Sequence, residues 1–178
     1  AGSVSASIAS VSGGNLESLA IDPTPASTVV TDTIDTTTVS LAATPSVAEG
    51  GSIVYTASLG NVAQSPVTIT LSNGGVITIA AGASSGSISV AAPADDVYLD
   101  AGSVFASIVS AVGGNFEVLA IDPTPAATTV SDTLDTTTVS ITGDSSVTEG
   151  ASANYTVSLT SPALSDVTVD LAYSGTAA

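Results

Sequence analysis

The sequence predicts an all-β chain of antiparallel β-sandwich repeats in tandem, and three observations carry that reading. Apolar and polar residues alternate with a period of two along most of the chain, the pattern of strands with one buried face. No long window carries an apolar face at helical spacing. The chain also repeats itself at a shift of 100 residues without a gap, a period longer than solenoid units and equal to the size of a self-supporting domain.

The elements follow in order from the alternation. Ile53, Tyr55, Ala57 and Leu59 share one parity, then Val67, Ile69 and Leu71, then Ile77 and Ile79. Ile88 and Val90 come next, followed by Val104, Ala106 and Ile108. Turn formers separate these runs: Glu49-Gly-Gly, Gly60-Asn, Ser72-Asn-Gly-Gly, Ala81-Gly, Ala92-Pro and Gly113-Gly-Asn. About seven strands per unit at this spacing predict a two-layer sandwich of immunoglobulin-like type. With no Cys or Trp in the chain, the core has to be built from Val, Ile, Leu and Ala, with Tyr55 as its one large ring.

The repeat is carried by long phrases. Ala1-Gly-Ser-Val returns at Ala101, Leu19-Ala-Ile-Asp-Pro-Thr-Pro-Ala at Leu119, and Glu49-Gly at Glu149. Asp32-Thr-Ile-Asp-Thr-Thr-Thr-Val-Ser returns at Asp132 with Leu134 in place of Ile34. The Pro-, Thr- and Asp-rich segment from Asp22 to Thr38 suits a junction. One complete unit is therefore expected at 35–134, preceded at 1–34 by the C-terminal part of one repeat and followed at 135–178 by the N-terminal part of another. A second phasing, with units starting near Ala1 and Ala101, leaves the Pro-Thr segment inside each unit.

Composition limits function. The 178 residues include no Lys, Arg or His and sixteen Asp and Glu, for a formal charge of -16. Phosphate recognition needs basic side chains, so nucleic acid is not an expected partner, and anionic membrane surfaces are disfavoured for the same reason. No apolar run is long enough to span a bilayer, and no basic-plus-apolar leader opens the sequence. The absence of cysteine removes disulfides and thiol chemistry and leaves the redox compartment undetermined. The charge is sparse and the chain rich in Val, Ile, Thr and Ala, so it reads as folded rather than disordered. Uncompensated charge works against the compact state, and a cation is the expected counterweight.

The acids are clustered. Asp32 with Asp35, and Asp132 with Asp135, mark the two junctions; Asp95, Asp96 and Asp100 precede the strand at Val104; Asn115 and Glu117 stand near Asp122; Glu49 and Glu149 occupy turns. Calcium takes roughly six to eight oxygens from carboxylates, amides and carbonyls, and no soft ligand is present to prefer zinc or copper. Asp32, Asp35, Glu49, Asp95, Asp96, Asp100, Asn115, Glu117, Asp132, Asp135 and Glu149 are the candidate ligands, for several calcium ions per repeat. The same residues also suit plainer roles. Asp95 and Asp96 fit a solvated loop, Asp32 and Asp35 fit turn capping, Glu49 fits a simple turn, and Asn115 and Glu117 fit the shaping of a Gly-rich loop. The Asp122-Pro-Thr-Pro stretch reads as a stiff extended segment. No enzyme is expected: His, Cys and Lys are missing, and adjacent acids such as Asp95 and Asp96 point apart on an extended backbone.

The Glu49-Gly turn, Thr70-Leu-Ser-Asn-Gly, Ala92-Pro-Ala-Asp-Asp-Val-Tyr, Gly113-Gly-Asn-Phe-Glu and Thr31-Asp-Thr-Ile-Asp-Thr-Thr-Thr together resemble the extender repeats of giant adhesins. These adhesins are type I-secreted, calcium-dependent proteins of the RTX class, a group that includes ice-binding adhesins of Marinomonas and biofilm adhesins of Pseudomonas. The resemblance covers the whole chain. It implies immunoglobulin-like units with calcium in loops and linkers, joined to neighbouring repeats of the same chain as a monomeric rod. Such a rod projects a distal ligand-binding region from the outer membrane of a bacterial cell, with no direct membrane contact and no small-molecule substrate. Carried onto this sequence, the linker motif falls on Asp32, Asp35, Asp132 and Asp135 and the loop motif on Asp95, Asp96 and Asp100. The last segment departs somewhat, with Gly143-Asp-Ser in place of Ala43-Thr-Pro and with Asp166 and Asp170 where Pro66 and Thr70 stand. The competing expectation is a calcium-dependent module that itself binds sugar, ice or another copy of the adhesin. Against an ice face, Thr36 to Thr38 alternate between faces and Thr68 and Thr70 form only a short row.

Overall fold

Val, Thr, Ser, Ala and Ile make up most of the extended runs and Gly, Asn and Pro punctuate them, with the β-branched Val, Thr and Ile favouring strands and the punctuating residues turns. The computed structural model describes residues 2–175 and is all-β. Fourteen strands form among those residues. Ten of them build the central part: β3 (Thr36–Ala43), β4 (Ser46–Ala48), β5 (Ser52–Leu59), β6 (Val67–Leu71), β7 (Val76–Ile79), β8 (Ser85–Ala91), β9 (Gly102–Ala106), β10 (Ile108–Gly113), β11 (Val118–Ile121) and β12 (Ala126–Ser131).

These ten strands are seven extended segments, in keeping with the expected number, because three segments break and change sheet. Thr44-Pro45 separates β3 from β4, Ser107 separates β9 from β10, and the Asp122-Pro-Thr-Pro stretch separates β11 from β12. Proline cannot donate to a ladder, so two of the breaks fall where the sequence removes a donor. One layer is the sheet β11-β3-β5-β8; β10-β6-β7 and β4-β12-β9 make up the other, joined through the continuous β9–β10 segment. In the copy of the Pro-Thr segment at 122–138, residues 122–125 make the sheet change and Ala126–Ser131 make β12.

The alternation is reproduced in the core. Ile53, Tyr55, Ala57 and Leu59 are buried on one face of β5, with Val67, Ile69, Leu71, Ile77 and Ile79 opposite them. Tyr55 is the largest fully buried side chain. Ile88, Val90 and Val104 are half-buried at the margin of this cluster. Each fully buried aliphatic side chain contributes about 1.5–3 kcal/mol by removal from water. Gly113, with φ of 106°, ends β10 where the backbone lies against the Pro66 carbonyl, a space that a Cβ would fill.

Two hairpins flank the core: β1 (Gly2–Ala6) with β2 (Ala26–Val30), and β13 (Val139–Gly143) with β14 (Tyr155–Leu159). Their registers copy the central unit at the 100-residue shift. Gly2 faces Val30 as Gly102 faces Val130, and Val139 faces Leu159 as Val39 faces Leu59. Their environments differ. Tyr155 is 56% exposed against 1% for Tyr55, and Val30 is 50% exposed against 3% for Val130. Tyr155 instead meets Tyr173 edge-to-face, with ring centroids 6.5 Å apart.

Candidate metal centre

Two parallel strand pairings decide which acids meet. β4 runs parallel to β12 with Ala48 opposite Ser131, so the next residue of each, Glu49 and Asp132, emerge side by side. β9 runs antiparallel on the other edge of β12 with Gly102 opposite Val130, which brings Asp100 to the same end of the sheet. The carboxylate oxygens of Glu49, Asp100 and Asp132 lie within 4.8 Å of one another. Among the described residues no other three acids converge this closely.

Backbone hydrogen bonds fix the Glu49 turn in place. The Glu49 N–H donates to the Ser131 carbonyl at 3.0 Å and the Gly50 N–H to the Pro93 carbonyl at 2.7 Å. Gly50 takes a left-handed φ of 67° with the Asp95 side chain packed against it, a conformation that suits glycine.

The electrostatics of this centre are unbalanced. Glu49 is buried, at 7% exposure. Its Oε2, like Oδ1 of Asp132, is enclosed without a hydrogen-bond partner in the protein. A hydrogen bond shared with Asp100 pushes the Glu49 carboxyl up to about 7; burial and the charges of Asp100, Asp132 and Asp96 push the same way. A buried carboxylate oxygen without a donor is costly, and the sequence contains no Lys, Arg or His to supply one. A cation is the remaining way to satisfy these oxygens while keeping them charged, and the three residues can hold one. All the protein atoms on offer are hard oxygens, which suits an alkaline-earth ion rather than a soft metal.

The other candidates fall into three places. Asp95 and Asp96 are exposed beside the centre: Asp95 accepts a hydrogen bond from the Thr133 hydroxyl, and Asp96 Oδ1 accepts the Tyr98 N–H at 2.8 Å. Asp35, Asn115 and Glu117 gather at the opposite pole through the second parallel pairing, where β11 sets Val118 opposite Thr36 and so aligns Glu117 with Asp35. There the Asp35 N–H donates to Glu117 Oε2. Asn115, at φ of 56°, donates through Nδ2 to Gln64 Oε1 at 2.8 Å. With Asn61 and Gln64 these residues line an open cleft of about 290 Å³. Asp32, Asp135 and Glu149 are exposed and belong to no cluster of three acids among the described residues.

Outside these groups, Asp122 turns inward on its own loop. The Thr124 hydroxyl and then the Thr124 N–H hold its carboxyl below the usual range, and its counterpart Asp22 is held down by the Thr24 N–H and hydroxyl. Both acids cap a turn that the Pro-Thr-Pro sequence imposes. The sequence reading missed Gln64 and Asn61 at the far pole. Their only signal was their place in the loop after β5, which the strand order returns to the start of the unit.

The central all-β part carries an acidic centre at one end and an open polar cleft at the other. The LapA domain family matches the chain over residues 1–33, 35–133 and 135–177, and the chain belongs to that family. The family is one of large surface adhesins, which implies a cell-surface protein of adhesin type. Family and fold together point to a structural, non-enzymatic protein. Neither the curated proteins nor the solved structures gave a match.

Proposed function

We propose that this chain is an extender segment of a bacterial adhesin, a row of immunoglobulin-like units stiffened by calcium that carries a distal binding region away from the cell. The observation that carries the reading is the pair of enclosed, unpartnered oxygens on Glu49 and Asp132 beside Asp100. Asp132 directly follows β12, three residues before Asp135, where the next run of the repeat begins. A complete unit at 35–134 is supported by the buried cluster from Val39 to Ala126 and by the family match over 35–133.

Glu49, Asp100 and Asp132 would hold the ion of the best-formed site, with Asp95 and Asp96 close enough to add charge. Asp35, Asn115 and Glu117, joined by Asp135 or Asp32 and Glu149 in neighbouring units, supply the further ligands expected at junctions and poles. When bound, the ion neutralises the repulsion among these acids and so stiffens the junction between units. Neighbouring repeats of the same chain are the partners in this reading, as a monomeric rod. Export by a type I route, RTX membership and anchorage in the outer membrane follow from the resemblance in the repeat phrases.

The test is calcium titration of the full chain, followed by thermal melting and by small-angle scattering. Calcium is expected to raise the melting temperature and to narrow the range of dimensions. Unchanged melting and dimensions after thorough chelation would reject calcium stiffening. Saturable retention on a glycan, ice or another copy of the chain would favour a direct binding module.

A further inference from the structure

Beyond the cation, the loop that follows Asp95 makes a second contact across the junction. Thr133 lies in the linker, and its hydroxyl donates to Asp95. Three residues further along the loop, the half-buried Tyr98 donates its hydroxyl to the Pro162 carbonyl at 2.9 Å. Pro162 belongs to the turn after β14, and that turn is tied to the start of β13: the Thr138 N–H donates to Thr160 Oγ1 at 3.0 Å and the Thr160 N–H to the Thr138 carbonyl at 3.1 Å. The loop therefore grips the linker with one residue and the following hairpin with another.

Around Tyr98 the surface is apolar. Val97, Leu99, Leu159, Pro162, Leu164 and Val167 face one another across a cleft of about 460 Å³. Leu99 and Leu164 are 88% and 78% exposed at its rim. Exposed leucines on both sides of one cleft gain by closing on each other.

We propose that Tyr98 and its flanking Val97 and Leu99 form a metal-independent latch whose partner is the first hairpin of the next repeat of this same chain. The acceptor is a backbone carbonyl, so the latch tolerates sequence change in the receiving turn. The repeat register shows why this matters. The turn Thr160-Ser-Pro-Ala-Leu corresponds to Gly60-Asn-Val-Ala-Gln, and the side chains differ while a carbonyl is present at either position. The corresponding face of the central unit, at Thr37, Asn61, Val62 and Gln64, borders an open cleft. That face is where a preceding unit would dock its own copy of the Tyr98 loop. The Asx turn in which Asp96 accepts the Tyr98 N–H sets the direction of the ring without any ion. The latch rests on the tandem-unit reading and not on the cation.

The native chain has no cysteine, so spin labels at exposed positions Ala81→Cys and Thr156→Cys report the distance between the central unit and the following hairpin in the full chain. The measurement is pulsed dipolar spectroscopy, with and without Tyr98→Phe, in excess chelator and in saturating calcium. The Tyr98→Phe change keeps the ring and removes one hydrogen bond, so the population of splayed conformers should rise about five-fold. The rise should appear in chelator as well as in calcium. Identical distributions for the two proteins in chelator would overturn the latch. So would a distribution that is broad in chelator and narrows in calcium equally for both, which would leave the joint to the cation alone. Calcium insensitivity together with a clear Tyr98→Phe effect would retain the latch and remove calcium stiffening instead.

Discussion

Calcium binding at Glu49, Asp100 and Asp132 should expel a proton, and the amount follows from the carboxyl that burial and its neighbours push up to about 7. At pH 6 a group with that pKa is about 0.9 protonated, at pH 7 about 0.5 and at pH 8 about 0.1. Binding requires the carboxylate, so those fractions are the protons released per ion at each pH. Apparent affinity should fall about five-fold from pH 7 to pH 6 and rise only about two-fold above pH 7, because the deprotonated fraction saturates. Isothermal titration calorimetry in buffers of different ionisation heat reads the released protons directly. Glu49→Gln should abolish both the release at pH 6 and most of the affinity. Calcium at a hundred-fold excess over its Kd adds about 2.7 kcal/mol to folding, which corresponds to a melting shift on the order of 10 °C for a unit of this size. Proton release near zero at pH 6, with equal affinity at pH 6 and pH 8, would refute the assignment of Glu49 as a ligand.

Two further outcomes are expected. Without metal the sign of the pH dependence reverses: Glu49 has its folded pKa raised from 4.5 to about 7, so its contribution is fully present below pH 4.5 and is lost as pH rises to about 7. Chelated protein should therefore melt at a lower temperature at pH 8 than at pH 5, and Glu49→Gln should flatten that slope, as differential scanning calorimetry would show. In the core, Tyr55→Ala should cost about 3–5 kcal/mol, whereas Tyr55→Phe should cost little or stabilise, because the buried hydroxyl has no partner. Urea unfolding of both variants separates ring packing from hydroxyl burial.

The class of the fold was legible in the residues themselves. Alternation depends only on neighbours two apart, so Ile53 to Leu59 and Val67 to Ile79 declared both their strands and their buried face, and Tyr55 stood out as the one ring large enough to centre the core. Acid clustering also named Glu49, Asp100 and Asp132, but it named Asp32, Asp135 and Glu149 in the same terms. Local sequence could not tell them apart. Ala48 meets Ser131, and Val118 meets Thr36, through parallel pairings between segments some 80 residues apart. Such register is set by how two layers pack over a shared core rather than by either strand alone. Composition thus determined that this chain would be all-β, anionic and in need of a counter-charge, because those properties add up residue by residue. Tertiary structure alone decided where the need is concentrated, because a carboxylate's partners are whatever the strand register sets beside it.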